Sequence, residues 1–122
     1  MEIERGEIWW ADLPKPVGSG PGYPRPVIIV QSSYAIGVGL NTVIVVPLTT
    51  DKEWAKFPGN VLLEANTGRL TSDSVANLTL LITIDVKLLV NYVGQAPRRI
   101  MLQIEEGLRN ILDIECPPGT LQ

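Results

Sequence analysis

A chain of 122 residues suits one domain that buries roughly two-thirds of its unfolded surface around a single core, with no need for disulfide staples. Ten Lys and Arg against thirteen Asp and Glu leave a net charge of −3, which excludes a sequence-independent grip on nucleic acid through bulk positive charge and requires any polyanion to be held locally. With no histidine and a single cysteine, Cys116, the usual zinc sites and Ser-His-Asp or Cys-His machinery are excluded, so an enzyme built on this chain works with Arg, Lys, carboxylates, hydroxyls and backbone dipoles.

One cysteine closes no internal disulfide, and no segment has the length of a membrane span or the pattern of a leader, so the chain reads as soluble and cytoplasmic. Gly6 to Asp12 alternates, with Ile8 and Trp10 on one face and Glu7 and Trp9 on the other, which predicts a first strand. Pro14 to Pro24 holds four prolines and three glycines and predicts an ordered, stiff loop. The runs Val27 to Gln31 and Thr42 to Leu48 are β-branched and read as central strands covered on both faces, joined by the small-residue connection Ser32 to Asn41. Asp51 to Asn60 is a polar loop whose Trp54 and Phe57 fold back or lie in an interface. Short strands follow at Val61 to Glu64, Ser74 to Leu78, Leu80 to Ile84 and Val90 to Val93, with turns at Asn66-Thr67-Gly68 and Asp85 to Leu89.

Pro97 to Leu112 is different in kind, because Ile100, Met101, Ile104, Leu108, Ile111 and Leu112 fall on one helical face and Pro97 suits the first turn. Gly107 costs such a helix about 1 kcal/mol relative to Ala, which points to close packing at that position. The expected architecture is mainly β with a C-terminal helix: a small, strongly bent barrel over residues 1–115, followed by a tail, 116–122. Surplus apolar side chains are explained either by a dimer interface or by a well-filled monomer core.

The candidate site begins at Gly18-Ser19-Gly20-Pro21-Gly22-Tyr23-Pro24-Arg25-Pro26, a Gly/Pro loop that delivers one arginine to the start of a buried strand. A planar guanidinium matches phosphate or carboxylate, and glycines let backbone N–H groups turn toward the same anion. The plainer reading is an arginine that caps a strand and pairs with a surface acid. A second strand ends at Thr49-Thr50-Asp51, and in a sheet where it lies beside the strand at Arg25 its hydroxyls approach the loop.

In order along the chain, Arg5-Gly6-Glu7-Ile8-Trp9-Trp10-Ala11-Asp12-Leu13, Gly18-Ser19, Arg25-Pro26-Val27-Ile28-Ile29-Val30-Gln31, Val46-Pro47-Leu48-Thr49-Thr50, Asp73-Ser74-Val75-Ala76-Asn77, Ile82-Thr83-Ile84-Asp85 and the terminal helix together resemble the MazF/PemK family of toxins from type II toxin–antitoxin systems. No single piece is specific; the ordered set is. The resemblance implies an SH3-like small barrel of the CcdB/PemK type, a homodimer, and sequence-specific cleavage of single-stranded RNA, including mRNA, with no metal or cofactor. It implies attack by the ribose 2′-OH, leaving a 2′,3′-cyclic phosphate and a 5′-OH, and inhibition by a cognate antitoxin protein laid over the RNA groove. Arg25, Thr49 and Ser19 match the family's catalytic arginine, catalytic threonine and loop serine.

A guanidinium, which holds its proton far above neutrality, is a poor proton donor there and a threonine hydroxyl a worse base, so clamping by Arg25 and orientation of the 2′-OH by Thr49 are the physically safer roles. Ser19 and the backbone at Gly18, Gly20 and Gly22 would hold non-bridging oxygens. Tyr23 and Trp10 are candidates for base stacking, with loop and core roles as their respective alternatives; Thr50 and Asn77 complete the expected RNA contacts, Asn77 reading a base edge or serving as a buried turn amide. Arg98 and Arg99 either extend a phosphate track or are a solvated pair. Gly20 stands where many members keep an acid, and Leu80 where many keep a glutamine, changes expected to alter base preference more than cleavage. The same fold also serves gyrase-directed toxins and non-catalytic binding modules, which would leave Arg25 and Thr49 without a role.

Overall fold

The computed structural model describes residues 2–115, and Cys116 with the rest of the predicted tail lies outside them. Within them, in chain order, are β1 (Glu7–Ala11), β2 (Arg25–Ile29), α1 (Ser33–Gly37), β3 (Thr42–Thr49), β4 (Val61–Leu63), β5 (Ser74–Ala76), β6 (Ile82–Asp85), β7 (Leu89–Gln95) and α2 (Arg98–Leu112). Every pairing is antiparallel and the strands run β4-β5-β3-β2-β1-β7. β3 organises the sheet: its first half pairs with β6 and its last two residues with β5, while β2 runs along its other edge. Splitting one edge between two partners forces the bend of a small SH3-like half-barrel.

That bend produces two cores. Ile8, Ile28, Val46, Leu48 and Leu78 face the concave side with Ile100 and Ile104 of α2. Ala11, Val27, Ile29, Val43, Val45 and Leu89 pack on the other side. Alternate residues of β2 thus enter different cores, which is why Val27, Ile28 and Ile29 are all apolar and fully buried. Arg5 ties the N-terminal segment across the layers, its Nε donating to the Val30 carbonyl at 3.1 Å and its terminal nitrogen meeting Glu105 of α2 at 3.0 Å.

Helix α2 buries Ile100, Met101 and Ile104 and partly buries Leu108 and Ile111, as its periodicity predicts. Leu112, the last residue, is half exposed, and Pro97 stands at the cap ahead of the first turn. Gly107 is buried where a Cβ would run into the Gly59 carbonyl oxygen and Leu78 Cδ1. Backbone cannot yield as a side chain tip can, so Gly107→Ala should lower stability. An overpacking cost of about 1–3 kcal/mol exceeds the gain in helix propensity of about 1 kcal/mol. Urea unfolding checks this; a variant as stable as the parent would show that the α2 contact relaxes freely.

Several predicted boundaries move. The strand predicted for Leu80 to Ile84 begins at Ile82, and Ser74 to Leu78 stops at Ala76, because Leu78–Leu80 form a 3₁₀ turn closed by the Leu81 N–H on the Leu78 carbonyl. The connection Ser32 to Asn41 contains α1, started by Ser32, whose hydroxyl accepts from the Ala35 N–H at 3.1 Å. The Asp51 to Asn60 loop holds a 3₁₀ helix, Lys52–Lys56, and its Trp54 and Phe57 stack on one another with centroids 5.0 Å apart. In β1 the predicted alternation holds: Ile8 joins the first core, Trp9 and Ala11 the second, and Trp10, on the face of Ile8, stands at the strand end beside Leu48 and Leu70, 42% exposed.

Candidate active site

β2 begins where β3 ends. Their register, Val27 opposite Pro47 and Ile28 opposite Val46, carried two residues outward from Val27 places Arg25 across from Thr49. On the other flank Trp10 and Ala11 of β1 stand opposite Pro26 and Arg25. The three strand ends enclose an open hollow of about 430 Å³ lined by Trp10, Pro24, Arg25, Pro26, Leu48, Thr49 and Thr50. A second, of about 450 Å³, shares Trp10, Pro26, Leu48, Thr49 and Thr50 with it and is closed by Leu70, Thr71, Ser72 and Ser74. Among the described residues, no acidic side chain lines either one.

Arg25 is held from behind. Its Nε donates to the Gly22 carbonyl at 2.8 Å, and among the described residues its terminal nitrogens have no hydrogen-bond partner. Gly22 is buried against the Pro16 ring, into which a Cβ would project, so a glycine is required at that point. The base of the loop is pinned by the Tyr23 N–H on the Pro14 carbonyl at 3.0 Å, with Tyr23 at φ 62°. The Pro14 to Pro24 loop, tied at Pro14 and Gly22, therefore holds the guanidinium in a set position.

Thr49 is fixed from the other side. Its Oγ1 accepts the Asp51 N–H at 3.2 Å, and Asp51 in turn caps the Lys52–Lys56 helix by accepting from the Glu53 N–H at 3.1 Å. With one lone pair engaged, the hydroxyl is held in place at the end of β3.

Of the residues singled out in the sequence, Arg25, Thr49, Thr50 and Trp10 converge on the hollows, and Gly22 supports Arg25 from below. Gly18, Ser19 and Gly20 occupy the exposed end of the loop, and they and the half-exposed Tyr23 line neither hollow. Asn77 is buried, 4% exposed; its N–H donates to the Pro47 carbonyl and its Oδ1 accepts the Thr79 hydroxyl, both at 3.1 Å, which is the turn-amide arrangement. Arg98 and Arg99 are exposed at the start of α2. Sequence reasoning missed Leu70, Thr71, Ser72 and Ser74, whose only signal was a cluster of hydroxyls ahead of a strand.

The Leu70–Ser74 segment is pinned by Asp73. The Ala65 N–H at 2.7 Å holds its carboxyl below the ordinary aspartate range; partial desolvation opposes this, and Lys52 at 3.5 Å adds to the lowering. Because the folded state favours the charged form, this stabilisation is complete above the ordinary aspartate value and is lost as pH falls below it through the depressed one. The melting temperature of Asp73→Asn should lie below that of the parent at pH 6 and converge with it toward pH 2. A gap that persists at pH 2 would assign the effect to shape and not to charge.

A family model, PemK-like, MazF-like toxin of type II toxin–antitoxin system, matches residues 4–112. The chain belongs to this family. The chain is 43% identical to Endoribonuclease MazF6 of Mycobacterium tuberculosis over 114 residues, 93% of this chain and all of that one. In three dimensions it resembles MazF from Deinococcus radiodurans, with a TM-score of 0.78 at 18% identity over 92% of this chain and 97% of that one. It also resembles a mycobacterial endoribonuclease solved in complex with its cognate antitoxin, with a TM-score of 0.74 at 24% identity over 95% and 100% of the two chains. The PemK/MazF fold of those structures is thus the fold of this chain, and the strand ends that meet at Arg25 and Thr49 lie within the matched region.

Proposed function

We propose that this chain is the toxin of a type II toxin–antitoxin pair and a sequence-specific endoribonuclease that cleaves single-stranded RNA, mRNA among it, without a metal. The observation that carries this reading is the placement of Arg25 and Thr49, from adjacent antiparallel strands, on one hollow beside the half-exposed Trp10.

In the proposed reaction the ribose 2′-OH attacks the adjacent phosphorus, the P–O5′ bond breaks, and the products are a 2′,3′-cyclic phosphate and a 5′-OH. Arg25 supplies fixed positive charge and two free donor nitrogens where negative charge grows on the phosphorane. Thr49 aligns the 2′-OH, a contribution of proximity and orientation. Ser19 and the glycines of its loop close over the non-bridging oxygens when RNA is bound. Trp10 offers a face on which a base stacks.

The active species is a cytoplasmic homodimer; exposed Trp54, Phe57, Leu62 and Leu112 are surplus to the two cores and support a further interface. Its inhibitor is a cognate antitoxin whose acidic, apolar-anchored segment covers Arg25 and the neighbouring aromatics. No helix among the described residues is long and apolar enough to cross a membrane.

The test is incubation of the purified chain, free of antitoxin, with a long RNA in EDTA, followed by mapping of the cut ends. Cuts bearing 5′-OH termini that vanish in Arg25→Ala and Thr49→Ala support the reading. A folded protein that cuts no RNA overturns it.

A further inference from the structure

The two hollows differ in chemistry, and the difference divides the substrate between them. The first contains a guanidinium; the second, among the described residues, contains no charged side chain. Its floor is apolar, made by Trp10, Pro26, Leu48 and Leu70, and its rim carries the exposed hydroxyls of Thr50, Thr71 and Ser72. Ser74 contributes less to that rim, since it is buried and its hydroxyl is committed to the Ser72 carbonyl at 3.0 Å.

We infer that the second hollow is the subsite for one unstacked nucleobase of the RNA strand, next to the phosphate clamped by Arg25, and that Thr71 and Ser72 read its edge. The inference rests on the endoribonuclease reading and adds the residues that choose the sequence. A phosphate is poorly served there, because nothing in the lining compensates its charge. A base fits, with apolar faces for Trp10 and Leu70 and polar edge atoms that need donors and acceptors, which hydroxyls supply in either sense. The shared wall of Trp10, Pro26, Leu48, Thr49 and Thr50 makes the two hollows neighbours along one strand. Asp73, bonded to Ala65, and the buried Leu70 hold the hydroxyl segment in place, so the reading groups sit on an anchored loop.

The experiment is cleavage-site mapping on an RNA pool randomised around the cut, with the full chain and with Thr71→Val, Thr71→Ser and Ser72→Ala. Each variant is matched to the parent for melting temperature. Thr71→Val and Ser72→Ala should relax the base preference at one position abutting the cut by on the order of tenfold, the size of one or two lost hydrogen bonds. Preferences at other positions should stay those of the parent, and Thr71→Ser should restore the preference. A parent that cuts RNA while both variants keep its site choice unchanged overturns the subsite alone. A parent that cuts no RNA removes the endoribonuclease reading and the subsite with it.

Discussion

Arg25→Ala should reduce single-turnover RNA cleavage by a hundred- to a thousand-fold with the fold intact, the loss that follows removal of one preorganised donor aimed at developing negative charge. The side chain stands at the first residue of β2 and belongs to neither core, so its removal opens no packed cavity. Its Nε bond to the Gly22 carbonyl fixes the plane of the guanidinium, and in the proposed reaction that prior placement makes the charge effective in the transition state. Arg25→Lys should therefore recover little. An ammonium restores the charge but has neither a second nitrogen to anchor on Gly22 nor a fork for two phosphate oxygens. A lysine variant as fast as the parent would reduce Arg25 to a point charge and remove the significance of the loop that holds it. Because the net charge is −3, loss of this one cation should also be felt in binding, and raising salt should weaken the parent more than the variant.

Much of the architecture is legible in the chain because it is encoded locally. The spacing of Ile100, Met101 and Ile104 marks α2, and the unbroken apolar run Val27, Ile28, Ile29 marks a strand buried on both faces. The role of Arg25 is partly local too, since a Gly/Pro loop ahead of a strand presents its arginine. Trp10 shows where local reading stops. Alternation places it on the face of Ile8, as found, but only the approach of β3 and of the Leu70–Ser74 segment to the end of β1 makes it the wall of a cleft and not a core residue. Thr71 and Ser72 were illegible for a related reason: hydroxyls between Leu70 and a strand look like a solvated turn until the bend of the sheet brings them to the end of β3. Asn77 runs the opposite way. Its motif draws attention, yet the structure spends its backbone and side-chain oxygen on the turn after β5.

Thr49→Val is the more exacting test of the chemistry, because it keeps the shape and β-branching that suit the end of β3 and removes only the hydroxyl. Two things are lost together. The Asp51 N–H loses its acceptor, and in the proposed reaction the 2′-OH loses the group that aligns it. The first loss is exposed to solvent and costs little, since water replaces the acceptor. The second acts on the reacting atom, where misplacement by about 1 Å costs about a hundredfold, so cleavage should fall by about that factor while binding of an uncleavable RNA lacking the 2′-OH at the cut is nearly unchanged. Thr49→Ser should retain most of the rate. The pH profile separates orientation from proton abstraction: if Thr49 only aligns the nucleophile, parent and Thr49→Ser should show parallel profiles, offset by a constant factor. Profiles that diverge in slope would assign Thr49 a proton-transfer role and overturn the view that Arg25 and Thr49 work by charge and position.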